Sequence, residues 1–434
     1  MKIILLGAGS FFTRRLVTDI MLIPEFDGGE LVLVDIDEQR LDLAFRLVQK
    51  VAVQIGKRWK ISATSDRREA LTDSDYIINF IEVSGLQTVR SDNDIPLKYG
   101  ISQCIGDTIG PGGIFKALRT IPAWLEILAD IEALAPDALI MNYTNPMSMI
   151  MLATVRRTEM PIIGLCHSVQ LTSEALANYA GVPFSELQWQ CGGINHMAWF
   201  TELRHQGQDL YPRLKEKART DSEFLKKDPV RFNAMLNLGY FVTESSGHFS
   251  EYVPYYRKRP ELIDQYCGEG FLGGRSFYAN EWPHWRQRHD EKIQQQLAGD
   301  EPLPLKRSNE YAAVIIQAKE KNLPAVIHGT VLNSGLIPNL PATGVVEVAC
   351  MIDQNGVNPC RFGALPPHLA ALCQSNMAVY ECVVQALLEQ NRDYVYYAMM
   401  LDPLTAAVCS LDEIHQMTSE MLVAEKAFLP AFCD

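Results

Sequence analysis

The first 35 residues restrict the possible folds more than any other part of the chain. An apolar run at residues 2–6 leads into a turn that contains Gly7, Gly9 and Ser10, and apolar residues at helical spacing follow. A second apolar run ends in the carboxylate of Asp35. A buried strand, a glycine turn, a helix and a second strand that ends in an acid predict the start of an α/β dinucleotide-binding unit.

These residues have specific expected roles in binding a dinucleotide. Gly7, Gly9 and Ser10 would bring the backbone close to the pyrophosphate, and Asp35 would bind the two hydroxyl groups of the adenosine ribose. An acid at this position favours NAD over NADP. The third glycine of the usual G-x-G-x-x-G pattern is missing, so a βαβ unit that binds no nucleotide is the alternative.

Strands and helices continue to alternate after this unit. Helical patterns separate four further apolar runs, at residues 59–63, 76–80, 138–141 and 161–165. The alternation predicts an α/β fold with a Rossmann-like, doubly wound parallel sheet. From about residue 187 the pattern becomes strand-rich and then mixed. We therefore expect an NAD-binding domain at residues 1–190, followed by a mixed α+β domain at residues 191–434 that contributes to substrate binding, metal binding and oligomerisation.

A thiol and an imidazole follow predicted strands and suggest a metal site. Cys166 comes directly after the run at 161–165, and His196 ends the segment Gly193-Ile194-Asn195-His196. A thiolate and a neutral imidazole both bind divalent ions, and two protein ligands leave positions open for water or substrate, as in catalytic sites. The alternative is that Cys166 is a small buried hydrophobe and His196 a hydrogen-bonded core residue.

Other polar residues also follow predicted strands, where the ligands of such sheets bind. Glu82 follows the fourth strand, Asp107 lies in the glycine-rich segment 106–113, and Asn142 and Asn145 follow the fifth strand. Asn and Asp in turns often only cap the local backbone. We favour that reading for Asn142 more than for Asn145.

Composition excludes several classes of function. The formal net charge of -13 without a basic cluster argues against nucleic acid or an anionic membrane as partner. No apolar run approaches the length of a membrane span. The ten cysteines are scattered singly without a C-x-x-C pair, which does not fit a disulfide framework and predicts a reducing, cytoplasmic location.

Five segments of the chain form a recognisable combination. They are Gly7-Ala8-Gly9-Ser10, Asp107-Thr108 with Gly110-Pro111-Gly112-Gly113, Asn142-Tyr143-Thr144-Asn145-Pro146, Cys166-His167-Ser168-Val169 and Gly193-Ile194-Asn195-His196. Together they resemble glycoside hydrolase family 4, the NAD-dependent and Mn-dependent glycosidases, and the likeness covers nearly the whole chain. The resemblance implies a fold like that of lactate and malate dehydrogenases, with NAD and Mn²⁺ as cofactors. Fe, Co or Ni could replace Mn²⁺, because a thiolate is softer than the ligands that Mn²⁺ prefers.

The residues after the metal cysteine point to a substrate within that family. The run Cys-His-Ser-Val at residues 166–169 is similar to that of the melibiase-type α-galactosidases, which hydrolyse galactosides of the melibiose and raffinose type. The resemblance implies C3 oxidation by NAD, removal of the C2 proton, elimination, water addition at C1 and re-reduction, without the usual carboxylate pair. Residues 11–15 are more basic than is usual in this branch.

The resemblance also implies roles for single residues near the metal. Cys166 and His196 would hold the ion. His167 would protonate the leaving group or, alternatively, only bind a sugar hydroxyl. Asp107 would increase the basicity of the catalytic base.

The sugar-binding residues and the base complete the expected site. Asn145 and Asn195 would bind the sugar through their carboxamides. The base is less well defined. His248 and Tyr252 are the first candidates and Glu251 is the third, and Tyr252 could equally be a core aromatic residue.

Competing functions remain open at this stage. A galacturonidase would need a cation near C6 of the sugar, which Arg90 or Arg119 could supply, and an α-glucosidase is a further alternative. An NAD-dependent hydroxy-acid dehydrogenase would leave Cys166 and His196 without a role, as would a sugar-sensing regulatory protein. The resemblance suggests a homodimer or homotetramer that binds a small sugar.

Overall fold

The computed structural model describes residues 1–299 and 301–433, which form one mixed β-sheet and the helices around it. The strands are β1 (Lys2–Leu6), β2 (Gly28–Val34), β3 (Arg58–Thr64), β4 (Tyr76–Asn79), β5 (Leu139–Asn142), β6 (Ile162–Gly164), β7 (Leu187–Ile194), β8 (Met197–His205), β9 (Gln208–Asp209), β10 (Phe241–Val242), β11 (Ala325–Leu332), β12 (Val345–Asp353) and β13 (Gly356–Pro359). The helices are α1 (Phe12–Met21), α2 (Glu38–Ile55), α3 (Arg67–Leu71), α4 (Val89–Lys98), α5 (Gly110–Leu134), α6 (Met147–Arg157), α7 (Ser168–Ala180), α8 (Tyr211–Thr220), α9 (Ser222–Lys226), α10 (Pro229–Leu238), α11 (Ser246–Phe249), α12 (Pro260–Tyr266), α13 (Phe277–Ala298), α14 (Tyr311–Lys321), α15 (Pro367–Glu389), α16 (Asp393–Leu401), α17 (Pro403–Val408) and α18 (Leu411–Glu425).

The N-terminal strands form the parallel part of the sheet in the order β3-β2-β1-β4-β5-β6. Every pairing among them is parallel. This is the strand order of dinucleotide-binding domains, so the predicted Rossmann-like sheet is confirmed. The strand order reverses between β1 and β4, because β2 and β3 lie on one side of β1, and β4, β5 and β6 lie on the other. Ligands of such sheets bind beyond the carboxyl ends of the strands at that reversal.

The C-terminal half extends the same sheet instead of building a separate one. Strand β11 pairs antiparallel with β6, and β12, β7, β8 and β10 follow in that order. The expected mixed α+β half is therefore confirmed, and it is continuous with the first half. Since the sheet crosses residue 190 without interruption, the division into two domains at that residue stays a prediction.

One hydrophobic core connects the two halves. It contains residues of the parallel strands, such as Leu5 and Ile78, together with Val348 of β12 and Val383 of α15, all of them fully buried. No helix of the described residues is both long and apolar enough to cross a membrane. The strand ends of both halves are thus fixed by a shared core, which is the rigid support that a precise site requires.

Glycines permit two close backbone approaches next to the strand ends. Gly7 has a φ of +83°, and a Cβ atom there would lie 2.7 Å from the carbonyl oxygen of Phe80. At the start of α5, a Cβ on Gly112 would lie 2.3 Å from the carbonyl oxygen of Gly106, so the loop before α5 rests directly on the first turn of that helix. Only glycine fits at either position.

Because of His328 in β11, we expect the free energy of unfolding to fall at acidic pH. Its ring packs against Trp189 with centroids 4.9 Å apart, and burial lowers the pKa of His328 to about 4. The unfolded chain takes up this proton near pH 6.5. This contribution to stability is therefore complete above about pH 6.5 and is lost as the pH falls towards the folded-state value.

We expect His328→Gln to remove about 2 kcal/mol of the stability loss between about pH 7 and pH 4.5, as measured by urea denaturation at both values. His284→Gln, on an exposed side chain, should leave the loss unchanged. An equal acid loss in the wild type and in H328Q would contradict this assignment.

Candidate active site

Three potential metal ligands meet at the ends of three strands. Cys166 follows β6, His196 lies in the turn between β7 and β8, and Glu244 follows β10. One ligand atom from each of them, the Cys Sγ, an imidazole nitrogen and a carboxylate oxygen, lies within 4.8 Å of the other two. The structure thus brings the predicted pair Cys166 and His196 together and adds Glu244.

The backbone at two of these residues is left-handed. His196 has a φ of +65° and Glu244 a φ of +70°, a conformation that costs side chains other than glycine roughly 1 kcal/mol or more. The hairpin pairing of Ile194 with Met197 imposes the turn at His196, and the Glu244 carboxylate accepts a 3.0 Å hydrogen bond from the Ser245 N–H. Strain of this kind concentrates at functional sites.

The charges of the cluster suit a divalent cation. Burial, together with the carboxylates of Glu347 and Glu244, raises the pKa of the Cys166 thiol. Burial alone would raise the pKa of Glu244, but His196 and His248 bring it well below its ordinary value. Glu347 is buried, its Oε1 atom has no hydrogen-bond partner among the described residues, and burial raises its pKa to about 7. The cluster thus offers sulfur, nitrogen and oxygen donors beside a buried acid. Such a set of ligands fits a transition metal such as Mn²⁺, Fe²⁺ or Co²⁺.

His248 lies between two carboxylates. Its Nε2 is 2.6 Å from the Thr108 hydroxyl and 3.5 Å from Oδ1 of Asp107. Its Nδ1 is 3.8 Å from Oε1 of Glu244. The structure therefore brings together the predicted residues His248 and Asp107, and it places a carboxylate near each nitrogen of the imidazole.

Tyr252 belongs both to the core and to this hydrogen-bond network. Its side chain is buried, its hydroxyl donates to Thr108 at 2.9 Å, and the same hydroxyl lies 3.4 Å from Nδ1 of His196. Burial raises the pKa of Tyr252 well above its ordinary value. The phenol thus positions its neighbours as a neutral group.

Asp107 connects the network to a second group of polar residues. Its Oδ2 accepts a 3.4 Å hydrogen bond from Asn145 and lies 3.8 Å from the ammonium group of Lys116. The same ammonium group is 3.0 Å from Oε2 of Glu82. Asn145 and Asp107 are thus neighbours, and the sugar-binding role of Asn145 stays a prediction.

The other two asparagines have different surroundings. Asn142 accepts from the Thr144 N–H at 3.3 Å and donates to the Thr144 carbonyl at 3.1 Å, which makes it the local backbone cap expected from its position. Asn195 is buried and donates to Oε2 of Glu347 at 3.4 Å. Its role in sugar binding stays a prediction.

His167 lies outside the network around Asp107. Its imidazole is 44% exposed, and its Nδ1 is 3.8 Å from Oε1 of Glu310, which also pairs with Arg15 at 3.2 Å. His167 adjoins Cys166 in the chain, but the structure gives it a different partner. Its role as the acid stays a prediction.

Glu251 binds the backbone of the loop before α5. Its buried carboxylate accepts hydrogen bonds of 2.6, 3.0 and 3.3 Å from the backbone N–H groups of Cys104, Ile105 and Gly106. These bonds hold the loop that carries Asp107. Glu251 therefore positions this loop, and its place as the third candidate for the base, after His248 and Tyr252, stays a prediction.

The glycine turn and Asp35 are arranged as the sequence predicts. Oδ2 of Asp35 accepts from the Gly9 N–H at 2.7 Å, and Oδ1 accepts from the Asp37 N–H at 2.9 Å. The Ser10 N–H donates to the Gly7 carbonyl at 3.0 Å, which closes the turn. Each carboxylate oxygen keeps a lone pair for a ribose hydroxyl, so this arrangement fits a dinucleotide.

The two arginines considered for a sugar carboxylate have other partners. Arg119 is buried, and its guanidinium pairs with Asp92 at 2.5 Å and with Glu425 at 2.8 Å. Arg90 is half exposed, 3.8 Å from Asp94. Arg119 is therefore not available to bind a substrate carboxylate.

Sequence reasoning missed three residues of the site. Glu244 could have been found as an acid two residues after the apolar run at residues 240–242, because that position marks a strand end. Lys116 and Arg119 are the charges in the otherwise apolar first half of α5, and Glu347 is a single acid within the apolar run of β12. A lone charge in a buried element is a signal, because burial of an unpaired charge is costly.

The fold and the cluster together define a Rossmann-like α/β protein with mixed sulfur, nitrogen and oxygen ligands at its strand ends. The sequence profile of the family 4 glycosyl hydrolases matches residues 2–182, and that of the C-terminal domain of the same family matches residues 191–405. The chain therefore belongs to glycosyl hydrolase family 4, and it is a glycosidase. The resemblance stated from the motifs is confirmed.

Characterised relatives span the whole chain. An alpha-galactosidase of Bacillus subtilis (strain 168) is 38% identical over 99% of both chains. An alpha-galactosidase of Rhizobium meliloti (strain 1021) is 36% identical over 99% of this chain and 89% of that protein. An alpha-galacturonidase of Lachnoclostridium phytofermentans is 26% identical over 99% of this chain and 97% of that protein. The chain is thus similar to enzymes with more than one substrate.

Solved structures have the same fold. The lplD protein of Bacillus subtilis aligns with a TM-score of 0.84 and 27% identity over 97% of this chain and 99% of that one. A 6-phospho-alpha-glucosidase from gut microorganisms, solved with NAD and Mn²⁺, aligns with a TM-score of 0.83 and 22% identity over 99% of both chains. The malate dehydrogenase of Plasmodium falciparum, solved with NADH, has a TM-score of 0.51 and 13% identity over 90% of this chain and 99% of that one. The predicted dehydrogenase-like fold is confirmed.

Proposed function

We propose that this glycosidase hydrolyses α-galactosides and that it requires NAD and a divalent metal, with Mn²⁺ the first candidate. The observation that carries the proposal is the cluster of Cys166, His196 and Glu244 at the strand ends of a Rossmann-like sheet. A hydroxy-acid dehydrogenase reaction would give this cluster no role. The alpha-galactosidases at 38% and 36% identity support the choice of sugar.

The residues present fit both cofactors. The turn at Gly7 and Gly9, with Asp35 beside it, fits a dinucleotide, and the cluster of Cys166, His196 and Glu244 fits the metal. When bound, NAD supplies a hydride acceptor and the metal supplies a Lewis acid. Support also comes from the 6-phospho-alpha-glucosidase of the same fold, which was solved with NAD and Mn²⁺.

The chain's own residues would handle the protons. We assign proton removal at C2 of the sugar to His248, since its imidazole lies between Asp107 and Glu244. Tyr252 holds Thr108 and His196 in place. His167, which is partly exposed and next to Cys166, remains the proposed donor of the proton to the leaving oxygen.

The proposal is tested by omission. We expect the purified protein to release nitrophenol from para-nitrophenyl α-galactoside only when NAD, Mn²⁺ and a thiol reductant are all present. The NADH absorbance band should not grow, because a hydride that returns in each turnover leaves no net NADH. Growth of that band with hydroxy acids, without nitrophenol release, would contradict the proposal.

A galacturonidase is the second candidate, since a relative of that name is 26% identical over the whole chain. The ion pairs that occupy Arg119 argue against it. A panel of para-nitrophenyl galacturonide and glucoside, run beside the galactoside, distinguishes the three sugars.

A cytoplasmic location and a homodimer or homotetramer remain proposals. Light scattering of the purified protein measures the oligomeric state directly, and fractionation of the source cells measures the location.

A further inference from the structure

A recess lies between helices α1, α2 and α13, and its charged lining is basic. The basic residues are Arg14, Arg15, His289 and Lys292. No acid among the described residues lines it, although the whole chain has a formal net charge of -13. The recess has about 190 Å³ of space, many times the roughly 15 Å³ that admits one water molecule. It is therefore large enough for a small anion such as phosphate.

The recess is distinct from the turn that fits a dinucleotide. Leu47, which lines the recess, lies roughly 14 Å along α2 from the end that adjoins Asp35. Arg40 lies between the turn and the recess. Its guanidinium donates to the Gly9 carbonyl at 2.7 and 3.0 Å and pairs with Asp290 of α13 at 2.9 Å. A dinucleotide at the turn therefore leaves the recess accessible.

Two cations of the recess lack an acidic partner. Arg15 pairs with Glu310 at 3.2 Å, but neither Arg14 nor Lys292 forms an ion pair with a described residue. Nη1 of Arg14 is buried and has no hydrogen-bond partner among the described residues. Burial and the neighbouring Arg15 lower the pKa of Arg14. Since a partly buried charge without a partner is costly, an anion beside Arg14 would be stabilising.

His289 shows that positive charge exceeds negative charge at this place. Burial lowers the pKa of its imidazole, and three neighbouring cations lower it further, namely Arg40, Arg14 and Lys292. Asp290 acts in the opposite direction, but it is already paired with Arg40. The imidazole also offers a ring N–H as a hydrogen-bond donor.

We propose that this recess is a second ligand site, which binds a phosphate group between Arg14 and Lys292, with His289 as a further hydrogen-bond donor. A phosphate carries nearly two negative charges near neutral pH, which match the two unpaired cations. A guanidinium presents paired N–H donors to phosphate oxygens, and a lysine adds a point charge. The site is additional to those proposed for the dinucleotide, the metal and the sugar.

The phosphate group could be the free ion or part of an ester. Phe11 lies beside the phosphate position: its ring is 49% exposed, and its centroid is 5.4 Å from that of His289. An apolar part of an ester would contact this ring. Inorganic phosphate and phenyl phosphate are therefore the two probes, and the tighter of the two identifies the source.

Equilibrium dialysis of the full-length enzyme, saturated with NAD and without added Mn²⁺, which itself binds phosphate, measures the affinity for each probe. Arg14→Gln and Lys292→Gln should each weaken binding at least about tenfold, because each removes a charge-assisted hydrogen bond. Lys292→Arg, which keeps the charge, should stay within about threefold of the wild type. Arg288→Gln is the matched control, since Arg288 lies in α13 but pairs with Glu281 on the surface. It should bind both probes as the wild type does.

Two further measurements locate the site. R14Q and K292Q should keep the thermal denaturation midpoint of the wild type without ligand and should bind NAD within about threefold of the wild type. Raising NAD above saturation should not displace the probe. The inference is overturned if neither probe binds, if R288Q weakens binding as much as R14Q and K292Q do, or if NAD competes with the probe, since competition would place the phosphate in the dinucleotide site.

Discussion

Cys166→Ser is expected to lower Mn²⁺ affinity and to reduce kcat/KM for the α-galactoside on the order of 10³-fold. Residues that merely orient metal ligands commonly contribute 10- to 100-fold, roughly, to affinity or activity, and loss of a direct ligand should exceed this. The serine is close in shape to the thiol, but its hydroxyl does not ionise to replace the thiolate. The remaining donors, His196 and Glu244, would hold the ion less tightly.

The measurement has two readouts, because activity alone does not separate metal loss from misfolding. Free Mn²⁺ in a titration is followed by electron paramagnetic resonance, and nitrophenol release is followed at saturating Mn²⁺. Cys360→Ser is the matched control, since Cys360 is an exposed thiol outside the cluster. If C166S binds Mn²⁺ as the wild type does and keeps its activity, Cys166 is the small buried hydrophobe of the alternative reading.

Arg119→Met is expected to lower the free energy of unfolding by about 3–5 kcal/mol, the usual effect of removing one partner from a buried ion pair. The guanidinium joins α5 to Asp92 of α4 and to Glu425 of α18, and all three side chains are almost completely buried. Methionine fills much of the space but leaves the two buried acids without a cation. Burial and the neighbouring Asp92 raise the pKa of Glu425 to about 9, and burial raises the pKa of Asp92, so we expect the destabilisation to diminish as the pH falls and Asp92 becomes neutral as well.

Chemical denaturation at neutral and at mildly acidic pH measures this effect. Arg90→Met is the control: Arg90 lies in α4, is half exposed, donates to Asn280 at 3.0 Å and lies 3.8 Å from Asp94, so its loss should cost less than about 1 kcal/mol. Similar stabilities of R119M and R90M would show that the buried ion network is unimportant. A galacturonidase activity that R119M abolishes without destabilisation would instead restore Arg119 as a substrate ligand.

Parts of the site followed directly from local sequence. The strand, turn and strand around Gly7 and Asp35 were predictable because a buried parallel strand is a short apolar run and because only glycine fits the turn. Cys166 and His196 were also identifiable, since each directly follows a recognisable strand. The structure brings these two within one ligand cluster.

Neighbouring residues in one short segment were harder to assign. His248, Glu251 and Tyr252 lie within five residues of one another, and sequence alone offered all three as bases. In the structure His248 faces Asp107, Glu251 binds the backbone behind it, and Tyr252 contacts Thr108. The irregular turn after the short helix α11 directs each side chain differently, and no periodic pattern reports such directions.

The sequence by itself determined that strands and helices alternate in a parallel sheet and which polar residues follow the strands, because hydrophobic periodicity and turn chemistry are local properties. Only the tertiary structure decided that Glu244 joins Cys166 and His196, and that Lys116 contacts Glu82 and Asp107. Those contacts join segments far apart in the chain. They depend on how β10 pairs with β8 and on where α5 begins, and both are set by the packing of the whole sheet and its core.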